Sequence, residues 1–516
     1  MTVLGEWQRL HRRTVAVTAL TMAGLSVSIG TPIVVGMLRD GDRHAGVVLL
    51  IALGAVLLLT GGGALADRLR WRHTSYRVTD ERVELRFALV LHTLRSIPRE
   101  RVRTVDLTAN PLLRAFGLTK VKIGTGQHAG EHSQLTLDPV GRAHAEELRR
   151  VLLDRTPVSA ATRSVTQSAT QSATQSAPAR PAPPLAELDW SWLRYAPVSV
   201  TTPLLGAAAF GAVLQASDWF DLQGTLLRTV RDDLLGDVPV LGFVAVLVAA
   251  GLILGFVGSL GLFVEGWWRY RLTRDGGALR VHRGLLTTRS LSLEQRRLRG
   301  VDVFEAFGSR LLGAARVDVV ATGLRARSDR ERSDPKTLLP PAPLAVAHRV
   351  AVDVLGAAPL SDVDIRRHPR TARSRRLRRA LLAVACFAAV LAVLGALLTV
   401  VLLHLAWIAA VVLTPVAVAL ALDAYRNLGH GLSGDYLVTR SGAGSRHTVA
   451  LLRGGVIGWT VRRSPFQRRA GLVTIAATTA AGPGEYLVRD VGESEGLAFA
   501  AEAVPGLLTP FLEPRP

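Results

Sequence analysis

"WRYRLTRDGG", residues 268–277, follows directly on a long apolar run and abruptly alternates bulky with charged side chains. That alternation is the mark of a half-buried strand. The signature returns twice, in "SYRVTDERV" from Ser75 and "DYLVTRSGAG" from Asp435. Each copy has a Tyr-x-(Val/Leu)-Thr core, and each stands just after an apolar stretch. Three occurrences at comparable places define a repeated unit, an apolar segment followed by a small strand-rich one.

Working outward, the whole chain of 516 residues is 49% hydrophobic and yet carries a formal net charge of +21. Its mean hydropathy of +0.28 and pI near 11.3 coexist only because greasy and basic segments alternate. At roughly 100–200 residues per domain, the length allows three or four units. The basic excess suits either nucleic acid or an anionic membrane face. Lys120, Lys122 and Lys336 are the only lysines. Together with the Ala, Val, Leu and Gly richness, this arginine bias is what a GC-rich genome produces, so arginine over lysine carries no functional weight. Cys386 is the single cysteine, so neither a disulfide framework nor a Cys-based metal site is expected. Its place in an apolar run predicts a small buried residue.

A helix needs about 20 mostly apolar residues to cross a bilayer. Six stretches qualify, 14–38, 45–66, 196–215, 238–264, 380–403 and 405–422, and they fall into pairs. The first is too long for the apolar part of a signal peptide and reads as an anchor. Pro197 and Pro203 interrupt the third, the last pair turns near His404, and Pro415 is expected to kink the final helix. The segment between the third and fourth stretches can form a short interfacial helix. Arg9, Arg12 and Arg13 precede the first span, Arg68, Arg70 and Arg72 follow the second, and Arg269 and Arg271 follow the fourth. If each pair is a hairpin, these charges share one side, and the positive-inside rule puts both termini and the inter-pair segments in the cytoplasm of a multi-pass plasma-membrane protein.

The chain thus divides into a hairpin over 1–70, a β-rich domain over 71–155, a flexible linker over 156–188 and a second hairpin over 189–266. A second domain over 267–357, a basic juxtamembrane segment over 358–379, a third hairpin over 380–424 and a third domain over 425–510 follow. The Ser/Thr/Gln/Ala repeat at 159–184 lacks the apolar surface to offset ordering entropy and reads as a tether. Within each domain a short apolar-basic turn ends in Arg-x-x-Gly: Arg114 with Gly117, Arg310 with Gly313, and Arg468 with Gly471. One helical turn brings residues three apart onto one face, and glycine at its end takes positive φ without strain. The reading is a repeated structural turn; a headgroup contact by its arginine is the alternative. Each domain closes with a helix-like segment, the first in "DPVGRAHAEELRRVLL", where Asp138 can cap and Pro139 suits the first helical position. Several strands and one amphipathic final helix describe a small barrel or sandwich plugged at one end.

With the Tyr-Arg-(Val/Leu)-Thr opening after a hairpin, and the segments "NPLLRAFGLTKVKI" and "FGSRLLGAARVDVV", the chain resembles the bacterial pleckstrin-homology-like (PH-like) membrane proteins of the YdbS/YdbT type, formerly a domain of unknown function. The resemblance implies integral membrane α-helical hairpins, six transmembrane helices in all, alternating with three small β-rich PH-like barrels each closed by a C-terminal helix. The first two units carry the likeness well. The third departs from it, with "YLVTRSGAG" lacking the Tyr-Arg pair and Gly482 to Gly484 loosening a later strand. In this light Trp267 and Trp268 suit the headgroup interface. Tyr270 and Leu272 start the first strand, with Arg269, Arg271 and Arg274 on its other face.

Chemistry is sparse. His128 and His132 have zincin spacing without the required Glu, and "GTGQHAG" and "SGAGS" read as hairpin turns. The spans hold almost no ionisable residues, which argues against an ion or proton pathway. No catalytic residue, cofactor or metal is expected. The function read from these features is a non-enzymatic membrane scaffold presenting cytoplasmic PH-like domains to lipid or protein. The alternative is an accessory subunit of an export, bacteriocin-resistance or envelope-stress system. Partners are membrane lipids with anionic headgroups, a membrane protein or a second copy, and not nucleic acid. In "RRHPRTARSRRLRR", residues 366–379, orientation of the fifth span needs fewer charges than are present. Arg373, Arg375, Arg376, Arg378 and Arg379 are therefore candidate contacts for anionic lipid. Reporter fusions after Asp154, Leu355 and Pro516 should all report cytoplasm and one near Gln223 the outside. An external signal at either of the first two sites contradicts the hairpin topology.

Overall fold

The computed structural model describes residues 5–39, 45–88, 92–102, 104–124, 134–153, 183–198, 201–219, 240–275, 277–322, 336–356, 360 and 363–508. His128, His132, Gln223 and all but the end of the tether lie outside them. Two compact units divide the chain, Met1–Gln295 and Arg296–Pro516.

The first unit opens with β1 (Gln8–Arg9), α1 (Thr14–Arg39) and α2 (Ala45–His73). β2 (Thr74–Val78), β3 (Arg82–Ala88), β4 (His92–Pro98) and β5 (Thr104–Ala109) lead to the one-turn helix α3 (Pro111–Ala115). β6 (Leu118–Gly124), β7 (Gln134–Gly141) and α4 (Arg142–Leu153) complete the first repeat. β8 (Ala186–Glu187), a 3-10 helix (Trp190–Val198), α5 (Thr201–Trp219) and α6 (Val240–Trp267) follow. β9 (Arg271–Asp275), β10 (Ala278–Arg283) and β11 (Thr288–Glu294) end the unit.

The second unit begins with β12 (Leu298–Glu305), α7 (Phe307–Leu311), β13 (Ala314–Ala321), β14 (Thr337–Pro343) and α8 (Leu344–Leu355). Helices α9 (Arg370–Leu397) and α10 (Val400–Arg426) come next. The third repeat is β15 (Gly429–Ser433), β16 (Tyr436–Ser441), β17 (Arg446–Leu452), β18 (Val456–Arg462), α11 (Pro465–Arg469), β19 (Leu472–Thr479), β20 (Glu485–Gly492) and α12 (Glu493–Ala503). It has the same strand and helix order as the first.

Alternation builds the strands. Tyr76 and Val78 of β2 and Val83 of β3 are buried together with Val105, Val121, Ile123, Leu135 and Leu137. Ala145, Leu148 and Leu152 of α4 recur at helical spacing and close this core. In the third repeat Phe499, Ala500 and Ala503 of α12 play the same part against Val473, Ile475 and Val488. The turns are alike too. Gly117, Gly313 and Gly471 take φ of 70°, 67° and 64°. Their carbonyls accept from the amides of Arg142, Leu344 and Glu493, where the final helix of each repeat begins.

The strands form four open sheets, ordered β1-β2-β3-β4, β7-β6-β5-β11-β10-β9-β8, β14-β13-β12-β17-β16-β15 and β18-β19-β20. No sheet among the described residues closes on itself, so the expected barrels are replaced by open sheets. The second repeat is divided: its first three strands extend the sheet of the first repeat, and its last three join the sheet of the third. Antiparallel pairing of β5 with β11, Thr104 opposite Leu293 through Ala109 opposite Thr288, makes the first junction. Pairing of β12 with β17, Gly300 opposite Leu451 through Glu305 opposite Arg446, makes the second.

A hairpin interrupts each repeat rather than preceding it. β1 pairs with β2 across α1 and α2, β8 pairs with β9 across α5 and α6, and Arg366 bridges to His430 across α9 and α10. Four helices among the described residues are long and apolar enough to cross a membrane, within Leu49–His73, Ala245–Trp267, Arg370–Leu397 and Val400–Arg426. The other two stretches are helical in α1 and α5. Small residues let α5 and α6 approach closely, as in membrane helix pairs generally. A Cβ on Gly206 would sit 2.0 Å from the Gly251 carbonyl oxygen, and one on Gly255 2.4 Å from that of Thr202.

Several expectations need correction. The third hairpin turns at Leu398–Thr399, where the Thr399 side chain caps α10, and His404 stands inside that helix. Asp138 and Pro139 lie in β7 and cap nothing: α4 starts at Arg142, and Asp138 pairs with Lys120. Cys386 is exposed on α9 rather than buried, since the span turns it outward. Arg274 shares the parity of buried Leu272 and is half-buried, because strand period 2 puts both on one face. Gly482 and Gly484 take positive φ in the turn between β19 and β20 and do not loosen a strand. Much of the basic segment is helix, α9 beginning at Arg370.

Candidate functional site

The third hairpin and the third repeat enclose a groove of about 620 Å³ whose walls differ in chemistry. Ala380 and Val384 of α9 and Ala417 and Leu420 of α10 make an apolar wall continuous with the spans. Arg375, Arg376, Arg379, Arg489 and Asp490 make the polar one. Arg375, Arg376 and Arg379 reach it together because residues three and four apart share a helix face.

Asp490 arranges this wall. β19 and β20 slip register between Val473 and Ile475, leaving Arg489 and Asp490 as an irregularity in the ladder, with Asp490 at φ 56°. Asp tolerates that conformation better than most residues, and a bulge re-aims the side chains it carries. The Asp490 carboxylate turns inward, 3% exposed, and takes an ion pair from Arg375 and one from Arg376 at 3.0 Å. Gln467 Nε2 donates to the same carboxylate at 3.0 Å and to Thr474 Oγ1 at 2.9 Å. Gln467 is placed by a capping box with Ser464 at the start of α11. Arg489, one residue away, is turned outward and exposed.

Four arginines and one carboxylate therefore share this wall. Arg375 and Arg376 are occupied by Asp490, whereas the guanidinium groups of Arg379 and Arg489 are exposed and have no ion pair or hydrogen bond among the described residues. Of the five arginines singled out in the sequence, the groove gathers Arg375, Arg376 and Arg379. Arg373 and Arg378 are exposed elsewhere on the helix and do not line it. Arg489 escaped the sequence reading. Its signal was "YLVRDVG", where two charges break the alternation of a strand. Chemically, the groove sets the exposed guanidinium groups of Arg379 and Arg489 beside an apolar wall.

The turn arginines have other partners. Arg114 Nη1 donates to the Leu285 carbonyl at 2.7 Å, in the turn between β10 and β11. Arg310 Nη1 donates to Asp423 Oδ1 at 2.8 Å and contacts the Gly444 carbonyl at 3.3 Å, in the turn between β16 and β17. Asp423, at the end of α10, also accepts from the Gly444 amide at 2.9 Å and from Asn427 Nδ2 at 2.8 Å. Glu265 near the end of α6 does likewise for the Thr287 amide at 3.1 Å. These arginines fasten each turn to the hairpin loop of the following repeat. Arg468 is exposed and has no such bond among the described residues.

Residues 30–156 and 381–502 match the bacterial PH domain family. The UPF0699 transmembrane protein YdbT of Bacillus subtilis (strain 168) is 21% identical over 458 residues, which cover 86% of this chain and 87% of the relative. No solved structure matches. The two matched regions hold the first and third repeats. The second repeat, taken with the first as the better likeness, lies outside them, and the third, taken as divergent, is matched.

A buried histidine pair pins the groove from behind. His368 Nε2 lies 3.0 Å from His430 Nδ1, and His368 Nδ1 lies 3.1 Å from the Asp490 carbonyl. His430 packs edge-on against the Phe499 ring, with Glu495 3.9 Å from its Nε2. Burial lowers His430 to about 4, helped by His368 and Arg366 nearby, and burial lowers His368 as well. A histidine kept neutral in the fold but protonated in the unfolded chain makes stability rise with pH between those two values. Thermal melts in detergent should therefore lose stability as pH falls from about 6.5 toward 4, by about 3 kcal/mol from His430. His430→Asn, whose amide can stand where Nδ1 does, should flatten that slope whatever its effect at pH 7. An equally steep loss in the variant contradicts the assignment.

Proposed function

We propose that this chain, a membrane protein of the bacterial PH domain type, is a non-enzymatic scaffold that holds anionic lipid beside its PH-like domains. In this reading six helices form three hairpins, both ends lie in the cytoplasm, and three small domains stand at that face. The observation that carries it is the groove in which Arg379 and Arg489 stand over an apolar wall formed by the spans. A lipid is the ligand whose head and tail chemistry such a wall separates. Near an anionic surface each arginine is worth about 1 kcal/mol, attenuated beyond a Debye length. The spans already anchor the protein, so this energy selects which lipid sits at the groove. The alternation of anchoring hairpin and cytoplasmic domain, with almost no ionisable residues in the apolar stretches, favours a scaffold over a transporter.

The test is lipid retained on purification in mild detergent, read by native mass spectrometry. Arg379→Gln with Arg489→Gln should lower retained anionic lipid several-fold, and added salt should lower it in the parent. Arg373→Gln with Arg378→Gln, which removes the same charge outside the groove, should change it little. Equal losses from both pairs would reduce the site to a general basic flank, and no loss from either would refute lipid holding.

A further inference from the structure

The two inter-repeat junctions obey one rule. Aligning the repeats on Gly117 and Gly313 superimposes Thr104 on Gly300 and Ala109 on Glu305. Aligning the partner strands on the pairing of β10 with β11 and of β16 with β17 superimposes Leu293 on Leu451 and Thr288 on Arg446. Those are the residues that face each other across the two junctions, so both share a register. In each, the fourth strand of one repeat pairs with the third strand of the next.

Used twice in a chain of three repeats, the rule leaves one strand of each kind over. β18 stands where β5 and β12 do, and it is the edge of its sheet; β4 stands where β11 and β17 do, and it is the edge of its own. Neither has a partner on its outer side among the described residues. The shared register would set Gly458 opposite Ile97 and Val461 opposite Leu94. Val461 is 45% exposed and Leu94 60%, whereas Leu107 and Val303, which hold the place of Val461 in the internal junctions, are 5% and 0% exposed. At Gly300 a Cβ would meet the Ala450 carbonyl oxygen at 2.0 Å, so that junction requires glycine. Gly458 holds the same place in β18, with the same register slip beside it, yet no backbone approaches it; in the first junction, which has no slip, the residue is Thr104. Arg468 completes the pattern, since it lacks the loop carbonyl that Arg114 and Arg310 find.

We propose that β18 pairs antiparallel with β4 of a second copy, in the register of the internal junctions, so that chains associate head to tail in the membrane. A free strand edge with exposed apolar residues is a pairing site, and here the matching edge is on the chain itself. Copies in one membrane share an orientation, which presents both edges to one compartment; this step rests on the hairpin topology above. The contact is heterologous, so it extends rather than closing at two chains.

The test uses cysteines in a Cys386→Ser chain, oxidised in native membranes. Residues directly opposed across an antiparallel pair have Cα atoms about 4.5–5.5 Å apart, within disulfide range. Leu94→Cys with Val461→Cys in one chain should give a ladder of linked multimers. The two single variants, co-expressed, should give dimers, and each alone should stay monomeric. Thr460→Cys with Leu94→Cys should not link, because Thr460 points to the other face. Independently, a tagged copy should pull down untagged chain, several-fold less with Val461→Lys. Absence of the ladder overturns the proposal, as does equal linking by a single variant or by Thr460→Cys. So does loss of both thiols at monomer mass, which marks closure within one chain, and so does pull-down undiminished by Val461→Lys.

Discussion

An antiparallel strand pair that crosses from one repeat to the next is the constraint on which this architecture turns. β5 and β12 would each expose a row of unpaired amides and carbonyls if their repeats stood alone, and such edges are hazards in water. β11 and β17 cover them. The covering is specific at two levels. Gly300 admits the Ala450 carbonyl where any side chain would collide, and Arg446 forms a two-point ion pair with Glu305, at 2.7 and 2.6 Å, directly across the ladder. Arg114 and Arg310 then tie each turn to the hairpin loop beside the incoming strand. The repeats are thereby successive segments of shared sheets.

The same geometry decides where the membrane helices can stand. Because β1, β8 and the Arg366 bridge pair with the first strand after each hairpin, both feet of every hairpin are fixed to one sheet. In the third repeat this brings the start of α9 against β20. There Asp490 occupies Arg375 and Arg376, and the irregularity that aims it inward turns Arg489 outward toward the groove. A structural ion pair thus sorts the run of arginines: Arg375 and Arg376 hold the fold, Arg379 faces the apolar wall beside Arg489 of β20, and Arg373 and Arg378 stand outside the groove. The buried His368–His430 pair sits behind the same strand, with His368 Nδ1 3.1 Å from the Asp490 carbonyl.

Periodicity made much of this legible. The Tyr-x-(Val/Leu)-Thr signature located β2 and β9, the first strands after their hairpins. Its third copy lies in β16, a second strand, so it does not stand at a comparable place. The apolar runs located the helices, and Arg-x-x-Gly located α3, α7 and α11. What it could not convey is neighbourhood. Alternation says which face of β11 is buried and nothing of which strand lies beside it, so the junctions with β5 and β12 were invisible. β1 and β8 are two residues long, too short for any period. Asp138 and Pro139 looked like a helix start because residue type was read without the strand that β6 imposes on them. Arg489 was hidden for a different reason: only the irregularity in β20 separates it from the solvent face of an ordinary strand. The five arginines of the basic run were read as one patch, and a single distant carboxylate, Asp490, divides them.

The central claim is that strands of successive repeats share a sheet, and one disulfide tests it. Thr108 and Arg289 face each other across β5 and β11 although a hairpin and a long linker separate them in the chain. With Cys386→Ser removing the native thiol, Thr108→Cys and Arg289→Cys should oxidise to an intrachain bond, seen by mass spectrometry as one linked peptide pair at monomer mass. Two thiols that remain free under conditions that oxidise exposed cysteines, in a protein that still melts cooperatively, would contradict the shared sheet.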